Sequence, residues 1–324
     1  MKAIHVTRVG GPEVMRLVDV PEPEPSAGEI RIRNRAIAVN FHDIQSRRHG
    51  EAGLTHPYVP GTDFAGVVDA VGPGVEGFAV GDRALGIQVA GAYAEKTVVP
   101  ALIATRIPDD VRDEEAASCP VAGLTAYFLV KDNGARQGAA VVAHAAAGSV
   151  GCFLGGLLRD AGAFGIGLVS SPSKAEIARR AGFRHAIDYR REDVVARVRE
   201  LTAGRGADLV LDSVAGPNTA RSFDILRAGG TAVLFGRAGG DPPPAAILES
   251  FLGANRNLGL RTYYLGATIA TEIGRIPGAY AELFDLFRRR AIDLPIDTLP
   301  LARAADAHAR IESQQTVGKV VLVP

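Results

Sequence analysis

The pattern of apolar and polar positions changes along the chain near residue 113. Before it, short alternating apolar runs such as Glu29–Val39 are separated by Gly/Pro-rich turns, which is typical of a partly open β-barrel. After it, short apolar runs alternate with amphipathic segments, which predicts a parallel sheet with helices between its strands. The predicted strands of this sheet are Val141–His144, Ile166–Ser170, His185–Ile187, Leu209–Asp212, Thr231–Phe235 and, at its edge, Asn257–Leu265. The predicted helices are Ser149–Asp160, Lys174–Ala181, Asp193–Thr202, Asn218–Leu226, Gly278–Arg290 and Ala302–Glu312.

This pattern predicts an α/β protein in which a doubly wound parallel sheet domain is joined to a β-barrel domain. A length of 324 residues also favours two domains over one. The closing strand, Lys319–Val323, is most simply a return to the barrel. We therefore assign residues 123–265 to the sheet domain, and residues 1–122 together with 266–324 to the barrel domain.

The stretch Ala140–Gly167 joins a predicted strand, a turn of small residues and an apolar helix. Such a unit cradles a nucleotide pyrophosphate, because glycines permit close approach and the helix N-terminus offers free N–H groups. Read as a dinucleotide fingerprint, the turn has Ala146, Gly148 and Gly151 at its three small positions. The first is not glycine, so a small-residue helix start that binds nothing is the alternative.

Residues 138–158 are almost uncharged and about as long as a membrane span. Five glycines and His144 interrupt this segment, and the alternation of strands and helices continues beyond it. We therefore interpret the segment as the core of a folded domain, with no membrane partner expected.

The residues after the second predicted strand indicate which coenzyme is preferred. A carboxylate about twenty residues past the glycine turn would bind the ribose of NADH, but Glu176 is the first acidic residue there. Ser170 and Lys174 instead offer a hydroxyl and a cation to a 2′-phosphate. This favours NADPH, the alternative being that Lys174 is a solvated residue of the first helical turn.

Composition and charge narrow the function classes. Lys+Arg and Asp+Glu number 36 each, so a nucleic-acid partner is not expected. The N-terminus lacks the apolar core of a signal peptide, and Cys119 and Cys152 cannot form a disulfide framework. We expect a cytoplasmic protein.

Several motifs, in this order along the chain, resemble those of one family. They are Gly10-Gly11-Pro12-Glu13-Val14, Gly61-Thr62-Asp63-Phe64-Ala65-Gly66, Val80-Gly81-Asp82-Arg83, Gly123-Leu124-Thr125-Ala126-Tyr127, His144–Gly151 and Thr316-Val317-Gly318-Lys319-Val320-Val321. Together they resemble the zinc-free, zeta-crystallin-like quinone oxidoreductases of the medium-chain dehydrogenase/reductase superfamily. The resemblance implies a GroES-like catalytic domain, a Rossmann domain that binds NADPH, and a homodimer formed through the edge strand Asn257–Leu265.

The resemblance also implies site residues. The catalytic end would hold Asn40 and Asp43 at the nicotinamide, with Tyr58 in the cleft. The cofactor-binding residues would be Thr125 near the carboxamide, Gly148, Ser149, Val150 and Gly151 at the pyrophosphate, Ser170, Lys174 and Tyr189 at the 2′-phosphate, and Gly236 along the coenzyme. Asp43 as a helix-start carboxylate and Thr125 as a buried hydroxyl are the alternatives.

No metal is expected. Zinc members of the superfamily hold their catalytic ion at places that here match Asn40, Thr62-Asp63 and Val121. Soft sulfur and imidazole ligands are missing from all of these positions.

Without a Lewis acid, the acceptor has to be electrophilic already, as a quinone or an α,β-unsaturated carbonyl is. The protein then holds it against the nicotinamide and offers donors to the developing oxyanion. Tyr58, His42, His49 and water are all candidate proton donors. Relatives often carry a tyrosine where this chain has Gln45, and Arg47 nearby is a candidate partner for an anionic substrate group.

Three functions are compatible with the sequence. The first is an NADPH:quinone reductase, and the second is a reductase of enone or enoyl-thioester double bonds. The third is an NADPH-binding sensor or structural protein with little catalysis. The physiological acceptor does not follow from the sequence, since fold alone does not determine function.

Overall fold

The computed structural model describes residues 1–253 and 256–324, and the contacts within the chain divide it into two compact units. Unit 1 comprises Met1–Gly123, Pro277–Arg288 and Pro295–Pro324. Unit 2 comprises Leu124–Ile276 and Arg289–Leu294. Residues 266–276 and 289–294, which the sequence analysis placed in the barrel domain, have their contacts in unit 2.

The strands and α-helices of the described residues have the following bounds. The strands are β1 (Lys2–Val6), β2 (Met15–Asp19), β3 (Glu29–Ala38), β4 (Asp63–Val71), β5 (Arg83–Ile87), β6 (Lys96–Pro100), β7 (Thr105–Arg106), β8 (Ala140–Ala143), β9 (Phe164–Val169), β10 (His185–Asp188), β11 (Ala207–Asp212), β12 (Leu226–Leu234), β13 (Gly259–Thr262), β14 (Ile296–Pro300) and β15 (Lys319–Val323). The α-helices are α1 (Phe41–His49), α2 (Asp113–Ser118), α3 (Leu124–Asp132), α4 (Ser149–Asp160), α5 (Pro172–Ala181), α6 (Val194–Leu201), α7 (Arg221–Asp224), α8 (Pro244–Gly253), α9 (Leu265–Glu272), α10 (Ile276–Arg288) and α11 (Ala304–Glu312).

Unit 2 is built on a six-stranded sheet in the order β10-β9-β8-β11-β12-β13, and its neighbouring strands pair in parallel. The residues of β8 are all buried, as expected for a strand covered on both faces. The strand order reverses between β8 and β11, and open α/β sheets bind ligands at the carboxyl ends of the strands beside such a reversal. The predicted doubly wound sheet is confirmed.

Some predicted boundaries within unit 2 differ from the structure. Strand β12 begins at Leu226, because Leu226 pairs with Ala207 before a bulge in the β11–β12 register. Only the short helix α7 therefore remains of the predicted helix Asn218–Leu226. The predicted edge strand Asn257–Leu265 shortens to β13, since Leu265 already begins α9. Helices α8 and α9 were not predicted.

Unit 1 contains a seven-stranded sheet in the order β14-β15-β3-β4-β5-β7, with β6 also paired to β3. Strand β3 alternates in burial, with Ile30 and Ile32 in the core and Arg33 exposed. This alternation is what one buried sheet face requires. Ile30, Ile32, Phe64, Tyr93 and Leu322 belong to one hydrophobic cluster, which joins residues from both ends of the chain.

The register of β15 on β3 matters for the site described below. The two strands pair antiparallel, with Val321 opposite Ala38 and Leu322 opposite Ile37. One residue further, the Val39 amide donates to the Val320 carbonyl at 2.9 Å. This register brings Lys319, the first residue of β15, beside Asn40.

Within the described parts of the chain, no helix has both the length and the apolar character needed to span a bilayer.

Candidate active site

Helix α1 begins at Phe41, and Asn40 is its N-cap residue. Asn40 and Asp43 form a capping box, in which the Asn40 amide N–H donates to Asp43 Oδ2 at 2.8 Å. Asp43 is therefore the helix-start carboxylate that the sequence left as an alternative. Asp43 also accepts a hydrogen bond from the Tyr93 hydroxyl. Both Asp43 and Asn40 are almost fully buried.

The Asn40 side chain lies at the centre of a buried polar cluster in unit 1. Its Nδ2 donates to Thr62 Oγ1 at 2.8 Å and to Asp63 Oδ2 at 2.9 Å. Asp63 Oδ2 also accepts from the Val121 amide at 3.0 Å. On its other side, Asn40 Oδ1 accepts from the Lys319 ammonium. The four sequence positions matched to zinc ligands thus meet in space, as a hydrogen-bonded cluster with an ammonium group at one end.

Burial dominates the electrostatics of Asp43. Removal from water raises the pKa of its carboxyl to about 6, although the hydrogen bond from the Asn40 backbone opposes this. Asp43 Oδ2 also accepts from the Tyr93 hydroxyl at 3.1 Å, whereas Oδ1 is buried with no hydrogen-bond partner among the described residues. One carboxyl oxygen is therefore held by two donors, and the other is buried without one.

Tyr93 links Asp43 to a buried histidine. The Tyr93 hydroxyl lies 3.0 Å from His308 Nε2. Because its one proton goes to Asp43, Nε2 carries the hydrogen of the neutral ring and donates to the hydroxyl oxygen. Burial and the nearby positive charge of Arg47 lower the pKa of His308 to about 3, so the ring is neutral at physiological pH.

The candidate proton donors differ in their surroundings. Tyr58 is buried, its hydroxyl has no hydrogen-bond partner within residues 1–253 and 256–324, and burial raises its pKa to about 12. His42 is half-buried and lies 3.6 Å from Glu51, and His49 is exposed at the end of α1. Arg47 does not face a substrate: it is fully buried, and its guanidinium donates to Glu312 at 2.5 Å.

The glycine turn of unit 2 lies where its strand β8 ends and α4 begins. Gly148 is the N-cap of α4, and the first turn consists of Ser149, Val150 and Gly151, so the sequence-predicted pyrophosphate residues lie at a helix N-terminus, where anions bind. A Cβ on Gly151 would lie 2.5 Å from the Ala145 carbonyl oxygen. This backbone therefore packs as tightly as a dinucleotide cradle requires, which fits a pyrophosphate.

Cationic groups converge near the carboxyl ends of β9 and β10. Ser171 caps α5 by accepting from the Lys174 amide at 3.3 Å, which places Lys174 in the first turn, next to Ser170 at the end of β9. Burial and the positive charge of Arg190 lower the pKa of Lys174. Tyr189, which precedes Arg190, is half-exposed beside them. Two neighbouring cations with adjacent hydroxyls fit a phosphate dianion.

A further buried pair lies at the reversal of the strand order and was missed from the sequence. Asp212, at the end of β11, accepts from the Val214 and Ala215 amides at 2.8 and 2.9 Å. His144, which follows β8, lies 3.5 Å from the Asp212 carboxylate, and burial lowers the pKa of its ring. The sequence feature that could have indicated this pair is the position of Asp212 as the last residue of a predicted central strand.

Two other predicted coenzyme residues also lie in unit 2. Thr125 is buried in α3, and Gly236 follows β12.

Comparisons with known proteins agree with this architecture. Residues 26–109 match the alcohol dehydrogenase GroES-like domain, and residues 181–322 match a family described as zinc-binding dehydrogenase. A quinone oxidoreductase from Pseudomonas aeruginosa is 36% identical, covering 100% of this chain and 99% of that protein. A 2-haloacrylate reductase from a Burkholderia species is 34% identical, with 99% and 98% covered. The crystal structure of Escherichia coli quinone oxidoreductase complexed with NADPH has a TM-score of 0.94 and 33% identity, with 100% of both chains covered.

The chain belongs to the quinone oxidoreductase family of the medium-chain dehydrogenase/reductase superfamily. Its two units are thus a GroES-like domain and a Rossmann-type domain, as the sequence predicted.

The description of one matching family raises the question of zinc, and the residues of this chain do not fit that ion. The side chains around Asn40 supply an amide, a hydroxyl, one carboxylate and an ammonium group. Zinc sites use thiolate, imidazole and carboxylate ligands, and an ammonium group repels a dication. Across the described ranges, no group of three or more His, Cys, Asp or Glu side chains is placed to hold a metal ion.

The raised pKa of Asp43 predicts a pH-dependent stability. Because the folded-state pKa of about 6 exceeds the ordinary 3.8, protonated Asp43 favours folding below about pH 4, and this contribution is lost as the pH rises through 6. Two pKa units correspond to about 3 kcal/mol. Asp43→Asn, which mimics the protonated group, should therefore gain stability relative to the native protein as the pH rises from 4 to 7.5, measured by urea unfolding.

Asp19→Asn is the matched control. Asp19 is exposed, and its hydrogen bond from Lys2 lowers its carboxyl pKa, so this variant should show no such gain. If the free energies of unfolding of Asp43→Asn and the native protein differ by a constant amount over this pH range, the raised pKa of Asp43 is contradicted.

Proposed function

We propose that this chain is an NADPH-dependent, zinc-independent reductase that transfers a hydride to a quinone or another conjugated carbonyl compound. The observation that carries the proposal is the Asn40 cluster, because its amide, hydroxyl, carboxylate and ammonium groups do not suit zinc. Reduction of a conjugated acceptor needs a hydrogen-bond donor for the developing oxyanion but no Lewis acid. The name of the Pseudomonas relative and the NADPH bound to the Escherichia structure support the same assignment.

In this proposal, the two units have separate tasks. NADPH supplies the hydride when it is bound. In unit 2, the first turn of α4 holds the pyrophosphate, and Ser170, Lys174 and Tyr189 bind the 2′-phosphate, with Arg190 as an additional cation. Thr125 and Gly236 line the remainder of the coenzyme site. In unit 1, Asn40 and Asp43 orient the reacting groups, and the Tyr58 hydroxyl donates a hydrogen bond or proton to the acceptor oxygen.

A double-bond reductase is the second candidate, and one finding favours it. The Burkholderia relative is named for a haloacrylate, whose carbon–carbon double bond is conjugated to a carboxylate. Hydride addition to such a bond places the same demands on the protein as quinone reduction. The two candidates therefore differ in the acceptor rather than in the machinery.

A panel of acceptors tests the proposed function. Purified protein should oxidise NADPH faster than NADH with a benzoquinone, a naphthoquinone, a simple enone or a haloacrylate, and a chelator should have no effect. Turnover confined to the enone or haloacrylate would select the second candidate. NADPH binding without turnover on any acceptor would favour a sensor, and chelator-sensitive alcohol oxidation would contradict zinc independence.

Lys174→Met tests the 2′-phosphate site. Because a hydrogen bond to a charged group contributes about 1.5–3 kcal/mol, the Kd for NADPH should rise roughly 10–100-fold, while the Kd for NADH stays unchanged. Arg180→Met is the control on the same helix, since Arg180 is exposed and pairs with Asp293. Equal weakening of both coenzymes, or of neither, would remove Lys174 from the site.

Tyr58→Phe tests the proposed donor. A buried hydroxyl without a partner is unfavourable unless a ligand satisfies it, so its loss should lower kcat by about 10²-fold or more and leave the Kd for NADPH unchanged. Tyr280→Phe is a matched control, because the Tyr280 hydroxyl is also buried without a partner in the described chain and feels the charge of Asp63, but its ring stacks on Phe284 and has no proposed role in the reaction. Equal activity of the two variants would exclude Tyr58 as the donor.

We also propose that the protein is a homodimer that pairs through β13. Two features of unit 2 support this: β13 is the last strand of its sheet, and helix α8 is apolar although none of its residues is buried. Leu260 on β13 is 37% exposed, and Leu252 on α8 is 65% exposed. Sedimentation should show a dimer that Leu260→Lys dissociates, whereas Leu102→Lys, at an exposed site of unit 1, should not. A monomeric native protein would contradict the proposal.

A cytoplasmic location is proposed on the grounds of the cysteines. Cys119 and Cys152 are both buried free thiols, as expected in a reducing compartment.

A further inference from the structure

Lys319 is a buried ammonium group that the sequence analysis did not single out. The residue is 1% exposed, and its Nζ donates to Asn40 Oδ1. Burial lowers the pKa of Lys319, and the negative charges of Asp63 and Asp43 oppose this effect. An ammonium group without such countercharges would be costly to bury.

The backbone around Lys319 is held on both sides. Its amide donates to the Pro295 carbonyl at 2.8 Å, and β15 is paired with β3 just beyond it. The preceding residue, Gly318, has φ of +60°, and a Cβ there would lie 2.0 Å from the Pro295 oxygen. The Lys319 side chain therefore starts from a fixed point, although 279 residues separate it from Asn40.

The contacts of Asn40 define the orientation of its carboxamide. An ammonium group only donates hydrogen bonds, so the amide oxygen has to face Lys319. The amide nitrogen then faces the two acceptors, Thr62 and Asp63. Lys319 and the Asp63 carboxylate therefore set the same orientation from opposite ends of the amide, and removal of the ammonium group would leave the amide oxygen without its donor.

We propose that Lys319 is a positioning residue for the reduction: its buried ammonium holds the Asn40 carboxamide, offsets the Asp63 carboxylate and thereby keeps Asn40 and Asp43 arranged for the reaction. The proposal rests on the proposed roles of Asn40 and Asp43. The Lys319 ammonium on β15 thus supplies the positive charge that balances the Asp63 carboxylate, which a metal ion would otherwise do.

Several groups face Asp43, and the test has to separate Lys319 from the others. Asp63 on β4 acts in the opposite sense to Lys319, because its negative charge raises the pKa of Asp43 whereas the ammonium lowers it. The other titratable or charged groups around Asp43 and its partner Tyr93 are His42 and Arg47 on α1, Tyr58 in the loop before β4, Tyr93 itself before β6, and His308 on α11.

The first experiment measures the Asp43 carboxyl and the Asn40 side-chain amide by NMR, which needs no turnover. Lys319→Met should raise the pKa of Asp43 and shift the Asn40 amide resonances, because the cation is lost. Lys319→Met combined with Asp63→Asn removes opposite charges together, so the pKa of Asp43 should return toward its native value. An unchanged pKa and unchanged amide resonances in Lys319→Met would overturn the proposal.

The second experiment follows turnover with the acceptor that the native protein reduces best. Lys319→Met should lower kcat at least about tenfold, since misplaced groups lose effective molarity. It should leave the KM for NADPH unchanged, and the acid limb of its pH profile should move to higher pH. Lys319→Arg, which retains a cation, should recover the native pH profile. A native kcat and pH profile in folded Lys319→Met would overturn the proposal.

Two controls keep these outcomes distinct from misfolding and from a wrong function. Lys96→Met removes a partly exposed lysine that pairs with Glu22 and Asp69 in the same unit, and it should change neither readout. The double variant lacks the uncompensated Asp63 charge, so it should fold even where Lys319→Met does not. If the native protein reduces no acceptor, the proposed function fails, and the NMR titration still decides the role of Lys319.

Discussion

The pairing of the last strand with β3 is the interaction on which the polar cluster of unit 1 depends. Strand β15 carries Lys319 to Asn40, and it does so only in the observed register. A slip of one residue would turn the side chains of β15 to the opposite face of the sheet. The pairs Val321–Ala38 and Leu322–Ile37, with the hydrogen bond from Val39 to Val320, define this register and so the position of the ammonium group.

The buried polar groups of this cluster are stabilised by the hydrogen bonds that they make to one another. Asn40 uses both ends of its amide, and Tyr93 bridges Asp43 to His308. Low local polarity strengthens such hydrogen bonds and makes an unpartnered atom costly. Asp43 Oδ1 and the Tyr58 hydroxyl lack a partner among the described residues, as do Asp63 Oδ1, His308 Nδ1, and Nε and Nη1 of Arg47. Buried polar atoms without partners call for an explanation, and for Asp43 and Tyr58 the proposed function supplies one, a ligand.

The sequence predicted what local pattern encodes. The parallel strands, the glycine turn and the helix that begins after Asn40 all follow from short-range periodicity and turn chemistry, and the structure has them. Helices α8 and α9 were missed, because they carry no clear amphipathic pattern and much of their apolar surface stays exposed. The residue-level roles in the site remain predictions.

The contacts that shape the Asn40 cluster could not be predicted from local pattern, since they join distant parts of the chain. Tyr93 and His308 are 215 residues apart, and Arg47 meets Glu312 across 265 residues. Arg47 was a candidate partner for an anionic substrate group because it lies near Gln45, where relatives often carry a tyrosine. Its burial against α11 is a property of the assembled fold, and no spacing within the sequence indicates it.

The fate of the hydride tests the account most directly. Purified protein would be given an α,β-unsaturated ketone and NADPH with deuterium at both hydrogen positions of nicotinamide C4, and the product would be analysed by NMR and mass spectrometry. The account predicts one deuterium on the β-carbon of a saturated ketone, because hydride adds to the conjugated position while donors of unit 1 meet the oxygen. Deuterium on the former carbonyl carbon of an alcohol product would contradict it.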